Sequence, residues 1–270
     1  MKMKNLVIIL VVLAMAGVAQ AATVYSEDFS TGTVGNLVTA APQSWALSFG
    51  SPAAIKDADP LSTGGGNYAQ TYDSGGGRAW KTGLSAAVAA ETLGVEFNVL
   101  AGVQDLAGAA GGSTSDTGLV SASSVNVRRV IFQYHQDEVQ NPGAASEKPG
   151  GWELMYNGTS NYNFGGIFAG GTGADDGSRY EFELFASLVP GVGLTASVTP
   201  VGGSATSVFI ADAALGTGWY DDIDAMRIYA DGSISYMAID DISIIGIPEP
   251  ASAALMGLGG LLMLRRRSQG

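Results

Sequence analysis

Few residues in this chain are of a type that does chemistry, and their positions are informative. Four carboxylates stand in two adjacent pairs, Glu27-Asp28 near one end of the central part and Asp240-Asp241 near the other. If the strands that carry them pair, the carboxylates meet. Calcium takes roughly six to eight oxygen ligands, several of them from carboxylates. Alternation along a strand turns one residue of each pair inward. That selects Glu27 and Asp241 as ligands of a structural Ca2+ that ties the two ends together, with Asp28 or Asp240 solvated. The competing use is charge on an edge strand, which discourages pairing with other chains. No EF-hand spacing occurs. Asp221, Asp222 and Asp224, and likewise Asp175 and Asp176 in a glycine-rich stretch, read as turn residues whose short side chains bond their own backbone.

Catalytic groups are sparse. His135 is the single histidine, so a Ser-His-Asp triad has one place to form, and no G-x-S-x-G elbow accompanies it. A multi-histidine zinc site is excluded. Glu181 and Glu183 lie two apart in Tyr180-Glu181-Phe182-Glu183-Leu184 and share a strand face. Glycosidases need two carboxylates roughly 5–10 Å apart across a cleft, and a solvated face accounts for this pair as well. Gly64–Gly66 and Gly75–Gly77 lack the strand–loop–helix setting that cradles phosphate. The expectation is a chain with no catalytic residue, that is, not an enzyme. Sugar binding relies on aromatic platforms beside polar groups. Trp152, followed by Tyr156 and the 157–163 turn, is the best placed, with Trp80 and Trp219 as further candidates and Tyr162 and Tyr220 nearby. The competing role for each ring is core packing.

The elements that must position these residues are strands. Short runs of alternating apolar and polar residues are separated by Gly, Ser, Asn and Asp. The pattern predicts strands near 24–29, 45–49, 92–100, 125–134, 152–156, 179–188, 194–201, 207–210, 226–229 and 234–245. Stretches 101–124 and 136–151 read as long loops, and 87–92 as a single helical turn. Ten strands without long helices predict an all-β fold, an antiparallel β-sandwich of jelly-roll type. The absence of cysteine excludes disulfides and thiolate metal sites. The chain has 13 basic and 25 acidic residues and a net charge of −12, a field that repels nucleic acid.

The two ends read as addresses. Lys2 and Lys4, an apolar run from Leu6 to Ala16, and Ala19-Gln20-Ala21 follow the three-part pattern of a secretory signal peptide, with cleavage after Ala21. The run is short of the roughly 20 residues of a comfortable membrane span. The division is 1–21 signal peptide, 22–247 β-sandwich domain and 248–270 terminal segment. In that segment Pro248-Glu249-Pro250 precede an apolar stretch, and Arg265, Arg266 and Arg267 close it. The prolines forbid helix or sheet around Glu249. The arginines would stay on the cytoplasmic side as a membrane stop.

This tail resembles the PEP-CTERM sorting signal: a Pro-Glu-Pro tripeptide, a hydrophobic segment and an arginine cluster, in that order. The resemblance implies recognition by an exosortase-type membrane enzyme after signal peptidase has acted. It also implies transient or retained insertion of the terminal segments in the inner membrane, and delivery to the cell surface or the matrix outside. A plain membrane anchor is the alternative. The central part, through Ser26-Glu27-Asp28-Phe29 and Ile239-Asp240-Asp241-Ile242, resembles jelly-roll carbohydrate-binding and concanavalin-like domains. That implies binding of an exopolysaccharide. The alternatives are a polysaccharide-active enzyme or a purely structural matrix protein.

Overall fold

The computed structural model describes residues 21–50, 53–56, 66–70, 77–90, 93–104, 114–121, 128–135, 151–157, 160–164, 179–230 and 237–247. Ala19, the tripeptide 248–250, the arginines 265–267, Asp175 and Asp176 lie outside them. Among the described residues no helix is long and apolar enough to cross a membrane.

Among the described residues fifteen strands form two antiparallel sheets. One contains β1 (Thr23–Glu27), β3 (Ala54–Lys56), β4 (Tyr68–Gln70), β6 (Val95–Gln104), β11 (Arg179–Val189), β12 (Gly193–Pro200), β13 (Thr206–Ala211) and β15 (Met237–Gly246). Its order is β13-β12-β11-β6-β15-β4-β3, with β1 also on β15. The other contains β2 (Ala46–Gly50), β5 (Gly77–Thr82), β7 (Thr114–Val120), β8 (Arg128–His135), β9 (Gly151–Tyr156), β10 (Ser160–Asn163) and β14 (Ala225–Ala230). Its order is β10-β9-β8-β7-β14-β5-β2. Two short helices, α1 (Ser85–Ala90) and α2 (Asp212–Leu215), complete the description. This is the predicted jelly-roll sandwich, and every strand read from the sequence is present.

The core lies between the sheets and is built by alternation. In β11, Phe182, Leu184, Ala186 and Leu188 are buried, while Glu183 is exposed. From the facing sheet come Leu119, Val130, Phe132, Trp152, Leu154, Met226 and Ile228. Phe132 stacks at 6.4 Å from both Phe97 and Phe164. Trp152 sets its ring edge-on to Phe182 at 5.5 Å. Apolar burial of this kind contributes about 25 cal/mol per Å2. β6 can start where it does because Gly94, at φ +112°, brings its backbone against β11. A Cβ there would sit 1.9 Å from the Leu188 carbonyl oxygen.

Two expectations need correction. The stretch 101–124 is not one loop. β6 continues to Gln104, and β7 lies inside the seven-stranded sheet between β8 and β14. Its sequence, TSDTGLV, shows no apolar alternation because small polar residues are buried on both sides of it. The expected helical turn at 87–92 is α1, shifted two residues toward the N-terminus.

β7 also carries the most buried charges among the described residues. Asp116 takes two bonds from Arg227 of β14, from Nε at 2.7 Å and from Nη2 at 2.5 Å, and the two are 0% and 1% exposed. Breaking a buried pair by removing one partner strands the other charge, at a cost of about 3–5 kcal/mol. Asp116→Ala is therefore expected to lower unfolding free energy by about that amount in urea titration, and the double variant Asp116→Leu/Arg227→Met to recover most of it. A single variant as stable as the parent would contradict this.

Candidate functional site

The face of the seven-stranded sheet turned away from the core is where polar groups gather. Alternation places Arg78 and Trp80 of β5, Arg227 and Tyr229 of β14, Asp116 and Gly118 of β7, Ile131, Gln133 and His135 of β8, and Glu153 and Met155 of β9 on it. Trp80, Val120, Ile131 and Ala225 form their own apolar cluster there, with Met155 packed against it and apart from the main core. Strand register aligns six side chains in one row. Arg78 is opposite Tyr229, Tyr229 opposite Asp116, Asp116 opposite Gln133, Gln133 opposite Glu153, and Glu153 opposite Asn163. At ~4.8 Å between strands, the row spans roughly 24 Å.

The groups on this face hold one another. Asp116 and Arg227 form the buried pair. The Arg227 guanidinium lies 5.5 Å from the Tyr229 ring centre, and that of Arg78 lies 5.0 Å from the same ring and 5.9 Å from Trp80. His135 Nε2 sits 2.7 Å from Glu153 Oε2, with the side chains 18% and 13% exposed. Arg129, from β8, pairs with Asp222.

Some hydrogen-bonding capacity on the face is unused. The Gln133 carboxamide is on a residue only 6% exposed, and it bonds to no described residue. The Trp80 indole Nε1 is buried without a partner. His135 Nδ1 meets no partner among the described residues. A polar group buried without a partner costs about 1–3 kcal/mol. On this face the Trp80 indole is such a group.

The sequence-chosen aromatics are placed otherwise. Trp152 is 0% exposed and faces the core, tilted against Tyr134 at 5.5 Å. Trp219 is 3% exposed and donates from Nε1 to Asp212 Oδ1 at 2.7 Å. Tyr156 is half-buried against the core. Trp80 lies on the polar face, but at 5% exposure its ring is covered. None of these four offers a bare ring for stacking; their area is worth more inside the sandwich. Tyr162, at 37% exposed, is more open to solvent, and it stands opposite the core-facing Leu154. Trp219, Tyr220, Asp212 and Asp221 instead line a separate hollow of about 390 Å3 at the β11–β12 turn.

The acidic pairs do come together, because β1 pairs with β15 and Glu27 stands opposite Ile242. Glu27, Asp28 and Asp241 line an open cleft of about 530 Å3. The inward and outward members differ from the expectation. Asp240 is 5% exposed, and its Oδ1 accepts from the Asp241 N–H at 2.8 Å, while Asp241 is exposed at φ +49°. The reason is a bulge between Asp240 and Ser243 in the pairing with β6, which breaks alternation there. Glu27 accepts the Phe29 N–H at 2.9 Å, and Asp28 accepts the N–H and hydroxyl of Ser30 at 3.0 and 2.7 Å. Among the described residues no three acidic or histidine side chains converge to hold a metal ion.

No protein-family model matches the chain, and no curated protein matches it. Solved structures do. A carbohydrate esterase from a Shiga toxin-encoding bacteriophage is 17% identical with a TM-score of 0.50, over 84% of this chain and 99% of that one. A marine alginate lyase from Aplysia kurodai is 11% identical with a TM-score of 0.51, over 84% and 100%. The binding domain of botulinum neurotoxin DC, in complex with SialylT, is 9% identical with a TM-score of 0.51, over 89% of this chain and 52% of that one. These define the class by its fold: a jelly-roll β-sandwich. At such identities the likeness is one of fold.

Asp28 supplies a local check. The hydroxyl and N–H of Ser30 hold its carboxyl below the usual carboxylate range. A lowered folded-state value means that the stabilisation is present above the ordinary carboxylate pKa and fades as pH falls through the lowered one. Ser30→Ala is expected to return the Asp28 titration, followed by NMR, toward the ordinary value; an unmoved titration would contradict the assignment.

Proposed function

We propose that this chain is an exported β-sandwich that binds polysaccharide on the outward face of its seven-stranded sheet and acts at the cell surface or in the surrounding matrix. The observation that carries the reading is the in-register row from Arg78 to Asn163, with the unpartnered indole N–H of Trp80 beside it. A glycan is a string of hydroxyls that both donate and accept. A strip roughly 24 Å long, at ~4.8 Å per strand, is long enough for several sugar units. The solved structures of similar fold support a sugar-related role, since one is named a carbohydrate esterase and another an alginate lyase.

Export belongs to the same reading. The N-terminal pattern ending at Ala19 and Ala21 would engage signal peptidase. The Pro248-Glu249-Pro250 tail with its arginines 265–267 would engage an exosortase-type enzyme. Calcium, if it takes part, would sit in the cleft shared by Glu27, Asp28 and Asp241.

Affinity electrophoresis of the full-length protein through gels containing neutral and acidic polysaccharides tests binding, with calcium and with chelator. Retardation by at least one glycan is expected. Gln133→Ala should weaken it roughly ten-fold, about the 1.4 kcal/mol of one hydrogen bond. Phe209→Ser, on the other sheet, should leave it unchanged. Retardation lost in chelator would give calcium a part. No retardation in any gel, or equal retardation by Gln133→Ala, would sink the proposal.

A further inference from the structure

The His135–Glu153 contact is built as a base with its orienting group, and the remainder of the face decides which reaction it suits. We infer that His135 is the proton-transferring residue of a polysaccharide lyase acting on uronate-containing chains, with Glu153 as its positioning residue and Gln133 as the group that meets the uronate carboxylate. The inference rests on the binding reading above and names the substrate class of the same face.

An imidazole is a base that works near neutral pH. Here Nε2 is taken by Glu153 at 2.7 Å, which fixes the ring and leaves Nδ1 as the nitrogen for chemistry. The side chain is 18% exposed, within reach of a bound chain. Gln133 lies two residues earlier on the same strand and face, buried and unbonded to described residues, so its N–H groups are available to an oxygen beside the imidazole. Hydrolysis of a glycoside asks for a carboxylic acid free to donate its proton opposite a second carboxylate, and among the described residues this face has none. Asp116 is locked by two bonds from Arg227, Asp222 pairs with Arg129, and Glu153 holds His135. A serine-type acyl transfer would need a hydroxyl bonded to the imidazole, and His135 Nδ1 has no such partner among the described residues.

Elimination needs less. His135 Nδ1 takes the proton from C5, beside the uronate carboxylate. The electron pair left behind forms the C4=C5 double bond, and the bond from C4 to the bridging oxygen breaks. His135 then passes its proton to that oxygen, which leaves as the hydroxyl of the departing chain. Gln133 donates to the carboxylate oxygen on which charge builds during the step. Glu153 accepts from Nε2–H and stabilises the imidazolium. Atoms and electrons balance without water, metal or oxidant.

The test uses the full-length protein with polymannuronate and polygalacturonate as probes and a neutral β-glucan as control. Ultraviolet absorbance of the conjugated double bond and retardation in gels are measured in parallel. Double-bond product from a uronate polymer is expected. It should fall ~100-fold or more in His135→Gln, with retardation unchanged. Glu153→Gln should lower kcat with little change in KM. Retardation by uronate polymers without double-bond product would overturn the inference and leave the binding reading standing. New reducing ends without double bonds, undiminished product in His135→Gln, or retardation by the neutral glucan alone would also overturn it. Retardation by no polymer would overturn both.

Discussion

The buried pair between Asp116 and Arg227 is the constraint on which the outward sheet face depends. Two full charges at 0% and 1% exposure are tolerable only with close, two-fold hydrogen bonding. That bonding requires β7 and β14 to sit side by side in the register observed, Asp116 opposite Tyr229. Along the same row Gln133 stands opposite Asp116, Glu153 opposite Gln133, and Asn163 opposite Glu153. A slip of one residue would turn the row into the core and bring the core residues out. The ion pair thus pins the pairing of β7 with β14, at the centre of the sheet that carries the candidate site.

The two faces of the seven-stranded sheet divide the labour. The inner one, with Phe132, Trp152, Leu154 and Met226, supplies apolar burial. The outer one carries charge and amide groups over a small apolar cluster of Trp80, Val120, Ile131 and Ala225. A rigid scaffold that holds polar groups with some capacity unfilled is the arrangement by which a protein pre-organises a ligand site. The chain as a whole carries a charge of −12, yet three arginines, Arg78, Arg129 and Arg227, stand on this face. The local balance among the described side chains is closer to neutral than the molecule's.

The fold was legible in the sequence because alternation in runs such as Tyr180–Leu184 and Val130–Tyr134 states which residues face inward. Pairing of the first and last strands entered only as a condition, suggested by the resemblance of Ser26–Phe29 and Ile239–Ile242 to the end strands of jelly-roll domains; β1 does pair with β15. β7 was not legible, since Thr114-Ser115-Asp116-Thr117-Gly118 reads as loop until its neighbours bury it. With β7 hidden, Asp116 and its tie to Arg227 were hidden too. The aromatics misled. A tryptophan in a strand signals either a platform or a core filler, and the sequence does not say which side of the sheet it takes. Trp152 fills the core, while Gln133 and His135, on the neighbouring strand, face the opposite side of the sheet. The signal that could have pointed there was Gln-Tyr-His closing an apolar strand, two polar side chains on one face. The bulge that turned Asp241 away from the core had no counterpart in the local sequence.

The most direct measurement of the central claim is an NMR titration of the isotopically labelled protein with the polysaccharide that retards it most. The Trp80 indole N–H and the Gln133 side-chain amide should shift and saturate together, while the Trp219 indole, already bonded to Asp212, stays in place. Shifts confined to the outer face of the eight-stranded sheet, or to the hollow around Trp219, would place the ligand elsewhere and contradict it.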